Sequence, residues 1–264
     1  SMQELVNSHQ DVSCYSDNDG QFEVVGSGGV FPYQYIFNQD TLMTALIDSL
    51  SAGGYLISVL DANNCVSDTV IQITEPLELH ASYSYTEPIC YGYSDGVLVG
   101  HASGGTPTYS FFWNTIFGDS LNNVAAGSYQ LIVEDAYSCT DTMMIVLDQP
   151  DEIMLSEIIN MHQDVSCHGY SDGQVQLSAT GGQPVYSFTQ VPGLTQSSSL
   201  FVGLTAGNYT YVVTDANSCT DSILINIIEP APIVLSEDLN QHQDVVCYNG
   251  NDGQLLVSAS GGTP

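Results

Sequence analysis

The chain contains no lysine and no arginine, against thirty aspartates and glutamates. Basic side chains are what grip phosphate, so nucleic acid is not an expected partner. An anionic membrane surface would repel the chain. A lysine Schiff base, an arginine clamp and a Lys-Asn isopeptide bond are all excluded, and trypsin has no site. No Cys-x-x-Cys occurs, so zinc-ribbon spacing is absent. The apolar runs are too short to span a membrane as helices. No nucleophile stands beside a base in a recognisable motif, so no catalytic residue is assigned and the chain is read as no enzyme. No signal peptide opens it; Met2 already fits the repeat described next, in line with Leu155 and Leu235. These absences suit a piece of a longer secreted protein, outside the cell among proteases and divalent ions.

What the chain has is one stretch written four times. In Cys167 to Pro184 a Cys is followed six residues later by the Gly of Asp-Gly. Eight residues on comes Gly-Gly, then a Pro within three more. The other copies begin at Cys14, Cys90 and Cys247, and three continue to Ala-Gly-x-Tyr or its variant, Asp-Ala and a second Cys. A repeat of this kind is the unit of folding. Boundaries fall at Glu75-Pro76, Gln149-Pro150 and Glu229-Pro230, where proline ends a strand. The expected domains are residues 1–76, 77–150 and 151–230, with an incomplete fourth over 231–264. No Gly/Ser linker separates them, which predicts an extended rod rather than beads on a string.

Within a repeat the hydrophobic period is two. Leu77, Leu79, Ala81, Tyr83 and Tyr85 alternate with polar residues, which predicts a half-buried first strand. Val175, Leu177 and Ala179 mark the second, repeated by Leu255, Val257 and Ala259. The third is aromatic: Tyr33 and Tyr35, then Tyr109, Phe111 and Trp113, then Tyr186 and Phe188. A variable stretch holds one short and one longer strand. The Tyr after Ala-Gly looks like the tyrosine corner of Ig-like sandwiches, and two more strands close the repeat. Six or seven short strands make an all-β fold of tandem Ig-like or fibronectin-like β-sandwiches.

Cys-x5-Gly, Gly-Gly-x-Pro, Tyr-x-(Tyr/Phe), Ala-Gly-x-Tyr and Asp-Ala-x-x-Cys together resemble the SprB-type repeat. That family occurs in very large surface adhesins of gliding Bacteroidota. The resemblance implies a surface-exposed adhesin, exported by a type IX system and moved by the gliding machinery. The second repeat departs from the others, with Glu87-Pro88-Ile89 in place of Gln-Asp-Val before its Cys. Ala-Gly-x-Tyr also resembles polycystic-kidney-disease and fibronectin type III domains, which bears on fold and not on role.

Seven cysteines in regular positions read as disulfides in an oxidising compartment. Pairing within repeats gives Cys14–Cys65, Cys90–Cys139 and Cys167–Cys219, each closing about 50 residues for roughly 4 kcal/mol. Strand parity objects. In a seven-strand sandwich the first Cys precedes the second strand and the second Cys follows the sixth, which runs the same way. The two then lie at opposite ends, ~25 Å apart, whereas a disulfide needs Cα atoms within about 7 Å. Pairing between neighbours gives Cys14–Cys139 and Cys90–Cys219, leaving Cys65, Cys167 and Cys247 to pair outside or stay open. Both schemes remain open; parity tips the balance slightly to the second.

Aspartates recur beside these cysteines: Asp17, Asp19, Asp95, Asp172 and Asp252, and Asp61, Asp68, Asp135, Asp141, Asp215 and Asp221. Gathered at a junction they would suit calcium, the one cofactor the sequence raises; as turn residues they would cap their own backbone. His9, His162 and His242 each stand five residues before a Cys and are read as hydrogen-bonding the polar loop. The expected function is a non-catalytic, disulfide-reinforced stalk in adhesion or gliding. Its expected partners are neighbouring repeats, other copies in a filament that could complete the fourth repeat, and surface glycans or proteins. The alternative is a carbohydrate-binding or spacer module of a secreted enzyme.

Overall fold

A computed structural model describes residues 1–4, 8–42, 44–193 and 195–263. The first repeat forms β1 (Met2–Glu4), β2 (Gly20–Gly26), β3 (Gln34–Phe37), β4 (Asp40–Leu42), β5 (Leu46–Leu50), β6 (Gly53–Leu60) and β7 (Val66–Ile73). The second forms β8 (His80–Thr86), β9 (Gly96–Ser103), β10 (Ser110–Trp113), β11 (Ile116–Phe117), β12 (Ser120–Val124), β13 (Gly127–Glu134) and β14 (Thr140–Leu147). The third forms β15 (Met154–Glu157), β16 (Gly173–Thr180), β17 (Ser187–Val191), β18 (Thr195–Gln196), β19 (Leu200–Leu204), β20 (Gly207–Thr214) and β21 (Thr220–Ile227), followed by β22 (Val234–Glu237) and β23 (Val257–Ser260).

Each full repeat is a sandwich of a three-stranded and a four-stranded antiparallel sheet. The second repeat pairs β12-β9-β8 in one and β11-β10-β13-β14 in the other, and the first and third have the same order. Seven strands alternate, as the parity argument requires. The chain divides into two compact units: Ser1–Glu87 with Ser94–Asp148, and Pro88–Tyr93 with Gln149–Pro264. The loop around Cys90 thus belongs by sequence to the second repeat and by packing to the unit that holds the third.

Every sandwich has its own core, because alternate residues of each strand point inward. Phe22 and Val24 face Ile57, Val59, Ile71 and Ile73 in the first repeat. Leu98 faces Leu131, Val133, Ile145 and Leu147 in the second, and Val175 and Leu177 face Tyr211, Val213, Ile225 and Ile227 in the third. The bulk moves between equivalent positions. Phe22, Leu98 and Val175 correspond on the second strand, while Ile57, Leu131 and Tyr211 correspond on the sixth. Phe37, Trp113 and Gln190 pair with those three across the ladder. The repeat with the smallest second-strand residue has the largest sixth-strand residue, so total volume is kept while identity drifts.

Tyrosines fasten the turns. Tyr55, Tyr129 and Tyr209 donate their hydroxyls to the carbonyls of Ser51, Ala125 and Thr205 at 2.8, 2.8 and 2.9 Å. These are the corners expected from Ala-Gly-x-Tyr. A second set was not expected. Tyr33, Tyr109 and Tyr186 donate to Gly28, Gly104 and Gly181 at 2.7, 2.6 and 2.6 Å, binding the third strand to the Gly-Gly turn. Gly104 and Gly181 have φ of +73° and +74°, and a Cβ there would sit 1.8 Å from the carbonyl oxygens of Glu78 and Glu152. Glycine is obligatory at both on conformation and on space.

The first strand of the second repeat differs from its expected form. It begins at His80, not Leu77: Leu79 just before it is buried and Ala81 packs against the core, whereas Tyr83 and Tyr85 are exposed and stack at 5.9 Å. Leu255 and Val257 are exposed as well, because β23 pairs only with β22 and nothing opposes their apolar face among the described residues.

Among the described residues the buried hydroxyl of Tyr211 has no hydrogen-bond partner, and burial pushes its phenol up to about 12. Tyr211→Phe is therefore expected to stabilise the third repeat by about 1 kcal/mol, whereas Tyr129→Phe, which loses a corner bond, costs about 1 kcal/mol. Urea unfolding of the two variants checks the opposite signs.

Candidate functional site: the cysteine junctions

Each repeat presents one cysteine on a loop before its second strand and another on a turn after its sixth. The loop is built by backbone geometry. In the first repeat Asp17 N–H donates to the Cys14 carbonyl at 3.1 Å, with Ser16 between them at φ +62°. The same bond runs from Tyr93 to Cys90, Tyr170 to Cys167 and Gly250 to Cys247, and the left-handed residue is Gly92, Gly169 or Asn249. Asp19 and Asp172 accept from the backbone N–H and hydroxyl of Ser13 and Ser166, which hold both carboxyls below the usual range, the hydroxyl contributing most. The residue before each boundary proline closes the loop. Glu75, Gln149 and Glu229 accept from the N–H of Ser16, Gly92 and Gly169 at 2.7, 2.8 and 2.7 Å.

The turn depends on one aspartate. Asp135 Oδ1 accepts from the N–H of Tyr137 and Cys139 at 2.8 and 3.0 Å, and its Oδ2 accepts from Thr106 N–H at 2.7 Å in the Gly-Gly turn. Asp215 does the same for Asn217, Cys219 and Gln183. Asp61 does it for Asn63, Cys65 and Val30. Asp135 and Asp215 are buried, and the amides of Cys65 and Val30 hold the Asp61 carboxyl below the usual range.

The two cysteine types meet between successive copies. Cys14 bonds Cys139 within one unit and Cys90 bonds Cys219 within the other, each with Cα atoms 5.7 Å apart. The first loop of one repeat is thus bonded to the last turn of the next, and the pairing within repeats does not form. Asn217 adds a hydrogen bond from its side chain to the Ile89 carbonyl at 3.1 Å. Cys65, Cys167 and Cys247 are free and exposed. Beside the disulfides lie open clefts of about 260 and 150 Å³; Tyr15, Glu78 and Asp141 line the first, and Tyr91, Tyr93, Glu152 and Asp221 the second.

Three of the other recurring acids accept backbone N–H groups. Asp141 and Asp221 accept from Ala81 and Leu155 N–H at 2.7 Å, tying last strand to first. Asp68 lies in β7 opposite Ser58, and Asp95 precedes β9. Asp252 accepts from Val246 N–H. Among the described residues no group of three or more His, Cys, Asp and Glu side chains is placed to share a metal ion.

Histidine supplies the only side-chain positive charge. His162 Nδ1 lies 2.6 Å from Glu157 and its Nε2 lies 3.2 Å from Asp164; His9 lies likewise between Glu4 and Asp11. His242 repeats the arrangement with Glu237 and Asp244. Donating to both neighbours requires the imidazolium, and the Glu4 and Glu157 carboxylates raise the pKa of His9 and His162 above 6.5. Asp11 and Asp164 in turn accept from Thr74 and Ile228 N–H, so each triad fixes the approach to a cysteine loop. The sequence reading placed these histidines at the loop and missed their glutamates, although each Glu stands ten residues before a Cys. In the sequence Glu75, Gln149 and Glu229 mark only the boundaries.

Two kinds of known protein are similar to this chain. The SprB repeat model matches residues 6–41, 162–195 and 239–264, which hold the loops of Cys14, Cys167 and Cys247. Three solved arrays are similar in structure. The N-terminal eight Ig domains of Down Syndrome Cell Adhesion Molecule isoform 1.30.30 are 13% identical over 74% of this chain and 30% of theirs, with a TM-score of 0.37. Sidekick-1 immunoglobulin domains 1–5 are 11% identical over 86% and 58%, with a TM-score of 0.36. Protocadherin Gamma B2 extracellular cadherin domains 3–6 are 10% identical over 98% and 84%, with a TM-score of 0.30. Among curated proteins none matches significantly.

The histidine triads give a pH dependence of defined sign. A raised folded pKa contributes stability that is fully present below the unfolded value of 6.5 and lost as pH rises through the folded value. Thermal melts from about pH 5 to pH 9 are expected to fall on the alkaline side, and less so in His162→Gln. A melting temperature that climbs across this window would reverse the assignment.

Proposed function

We propose that this chain is a non-catalytic, covalently reinforced repeat segment of a secreted surface adhesin. The observation that carries the reading is the stagger of its disulfides: each joins the first cysteine of one copy to the second cysteine of the next. Such bonding serves a protein that transmits force, and it needs the oxidising compartment outside the cell. The match to the SprB repeat supports an adhesive surface role, and gliding is the use that resemblance implies. Among the described residues no helix is long and apolar enough to cross a membrane. The repeats then act as stalk and spacer, with neighbouring copies as their first partners and the surface loops free for others.

The stagger makes a measurable prediction. Cys14 and Cys219 are 205 residues apart, but the shortest covalent path between them runs through both disulfides and only the 49 residues from Cys90 to Cys139. Pulled from its ends, this portion is expected to yield at most about 170 Å of chain when oxidised and roughly 700 Å when reduced. Equal contour lengths in the two states would sink the reading.

The stacked, exposed pair Tyr83 and Tyr85 favours a second reading, a carbohydrate-binding module. Glycan-array binding that is lost in a Tyr83→Ala, Tyr85→Ala double variant would establish it, and silence of the parent chain would dismiss it. Calcium is decided by chelation. Ligation by the junction aspartates requires the melting temperature to drop in EDTA; carboxylates that serve only the N–H donors they already hold leave it unchanged, the result expected here.

A further inference from the structure

The first strand of each full repeat lies at an edge of its three-stranded sheet, and the copies treat that edge differently. In the first and third repeats it is short. β1 and β15 stop at Glu4 and Glu157, the glutamates that His9 and His162 clasp. In the third the chain then makes a single 3-10 turn at Ile159–Met161 and meets β16 again at Gln163, opposite Gln174. Short strands and charged side chains are ways in which proteins protect sheet edges from further pairing. The second repeat has neither. β8 runs for seven residues with an unbroken register, from His80 opposite Ser103 to Thr86 opposite Val97, and carries no acid. At the position equivalent to Glu4 and Glu157 it has Tyr83.

Two hydrogen bonds show which backbone groups face outward. Ala81 N–H donates to Asp141 Oδ2 at 2.7 Å, and Gly100 N–H donates to the Asp119 carbonyl at 2.7 Å, so neither serves the β8–β9 ladder. Ala81 lies opposite Ala102, Tyr83 opposite Gly100 and Tyr85 opposite Leu98, and bonded and non-bonded pairs alternate along an antiparallel ladder. The N–H and C=O of Tyr83 and Tyr85 therefore point away from β9. Among the described residues no strand pairs with that side, and nothing hydrogen-bonds to those groups. The rings of the same two residues are exposed and stacked, with an interplanar angle of 30°. Asp141 stands at one end of this edge, and the exposed Glu87 follows the other.

We propose that the free edge of β8 is a docking site for an extended, basic segment of a partner protein, which adds to the sheet as a further strand. The backbone of the segment bonds the N–H and C=O of Tyr83 and Tyr85, and its alternate side chains fall on the tyrosine face. Arginine or lysine at those positions sets a cation on the rings, between the carboxylates at the two ends. A chain with thirty acids and no lysine or arginine attracts such a segment and repels another copy of itself. One seven-residue strand also buries too little surface to hold two like-charged copies together. The inference goes beyond the stalk reading and does not depend on it.

The test titrates the full chain with a short peptide of alternating threonine and arginine and follows amide exchange by NMR. Binding is expected, with slowed exchange at the Tyr83 and Tyr85 N–H groups. Methylating the backbone nitrogens of the peptide is expected to weaken binding about tenfold, through loss of its backbone hydrogen bonds. Tyr83→Pro, which removes one outward N–H and spares the β9 ladder, is expected to weaken it as well. So is sorting the same residues into a block of arginines and a block of threonines. Binding indifferent to methylation and to residue order would overturn the proposal, because it marks attraction to overall charge alone. Unchanged exchange at Tyr83 and Tyr85 on binding would do the same. Sedimentation of the parent chain as a dimer that Tyr83→Pro dissolves would overturn it in favour of a second copy. A sugar stacked on the rings leaves both amides in free exchange, so this outcome is separate from that of the carbohydrate reading.

Discussion

In each full repeat one carboxylate holds three backbone N–H groups, and the rest of the architecture depends on it. Asp61, Asp135 and Asp215 join the turn after the sixth strand to the Gly-Gly turn after the second. They thereby fix where the turn cysteine points. A chain with no lysine or arginine has no side-chain cation for a buried acid other than histidine. Backbone amides take that part here, and a charge satisfied by several N–H groups is well compensated without an ion pair. The same economy recurs at Asp19 and Asp172, which hold serines, and at Asp141 and Asp221, which hold the first strand. The acidity of the protein is thus largely structural: its carboxylates replace the ladders and caps that loops lack.

The fold was legible because the hydrophobic period and the turn dipeptides repeat three times over. Val175 and Leu177 alternate inward as their sequence says, and the tyrosine corners fall where Ala-Gly-x-Tyr puts them. Strand parity, which depends only on counting strands, tipped the balance slightly to the scheme between neighbours and left both open; the structure has that one. The junction was less legible. A glutamate ten residues before a cysteine, or a glutamine before a proline, acquires meaning only when folding brings it to a loop distant in sequence. The tyrosines at 33, 109 and 186 read as strand residues because their hydroxyl partners lie in the preceding turn, where backbone direction decides the bond. Leu77 misled for a simpler reason: its alternation continues the strand pattern into a boundary segment whose backbone is occupied by the Gly-Gly turn.

The second repeat shows how one unit can change its surface while keeping its frame. Where the others have a histidine between two carboxylates before the loop, it has Tyr85, and its first strand runs on to Thr86. The glutamine Gln149 takes the capping role of Glu75 and Glu229 with nearly the same bond length. What is held constant is the donor–acceptor geometry around the cysteine; what varies is charge and aromatic exposure on the strand that leads to it. Variation of that kind changes the exposed face of one repeat without altering how the members are joined.

The two disulfides overlap along the chain, since Cys90 lies between Cys14 and Cys139, and Cys139 lies between Cys90 and Cys219. A single cut of the backbone anywhere from Cys14 to Cys219 therefore leaves one covalent molecule. Between Cys14 and Cys90 the first disulfide spans the break, between Cys139 and Cys219 the second does, and in the middle both do. A strand of rope laid this way survives the loss of any one fibre. For a chain exposed to foreign proteases, a nick in a surface loop then becomes a scar rather than a severed end.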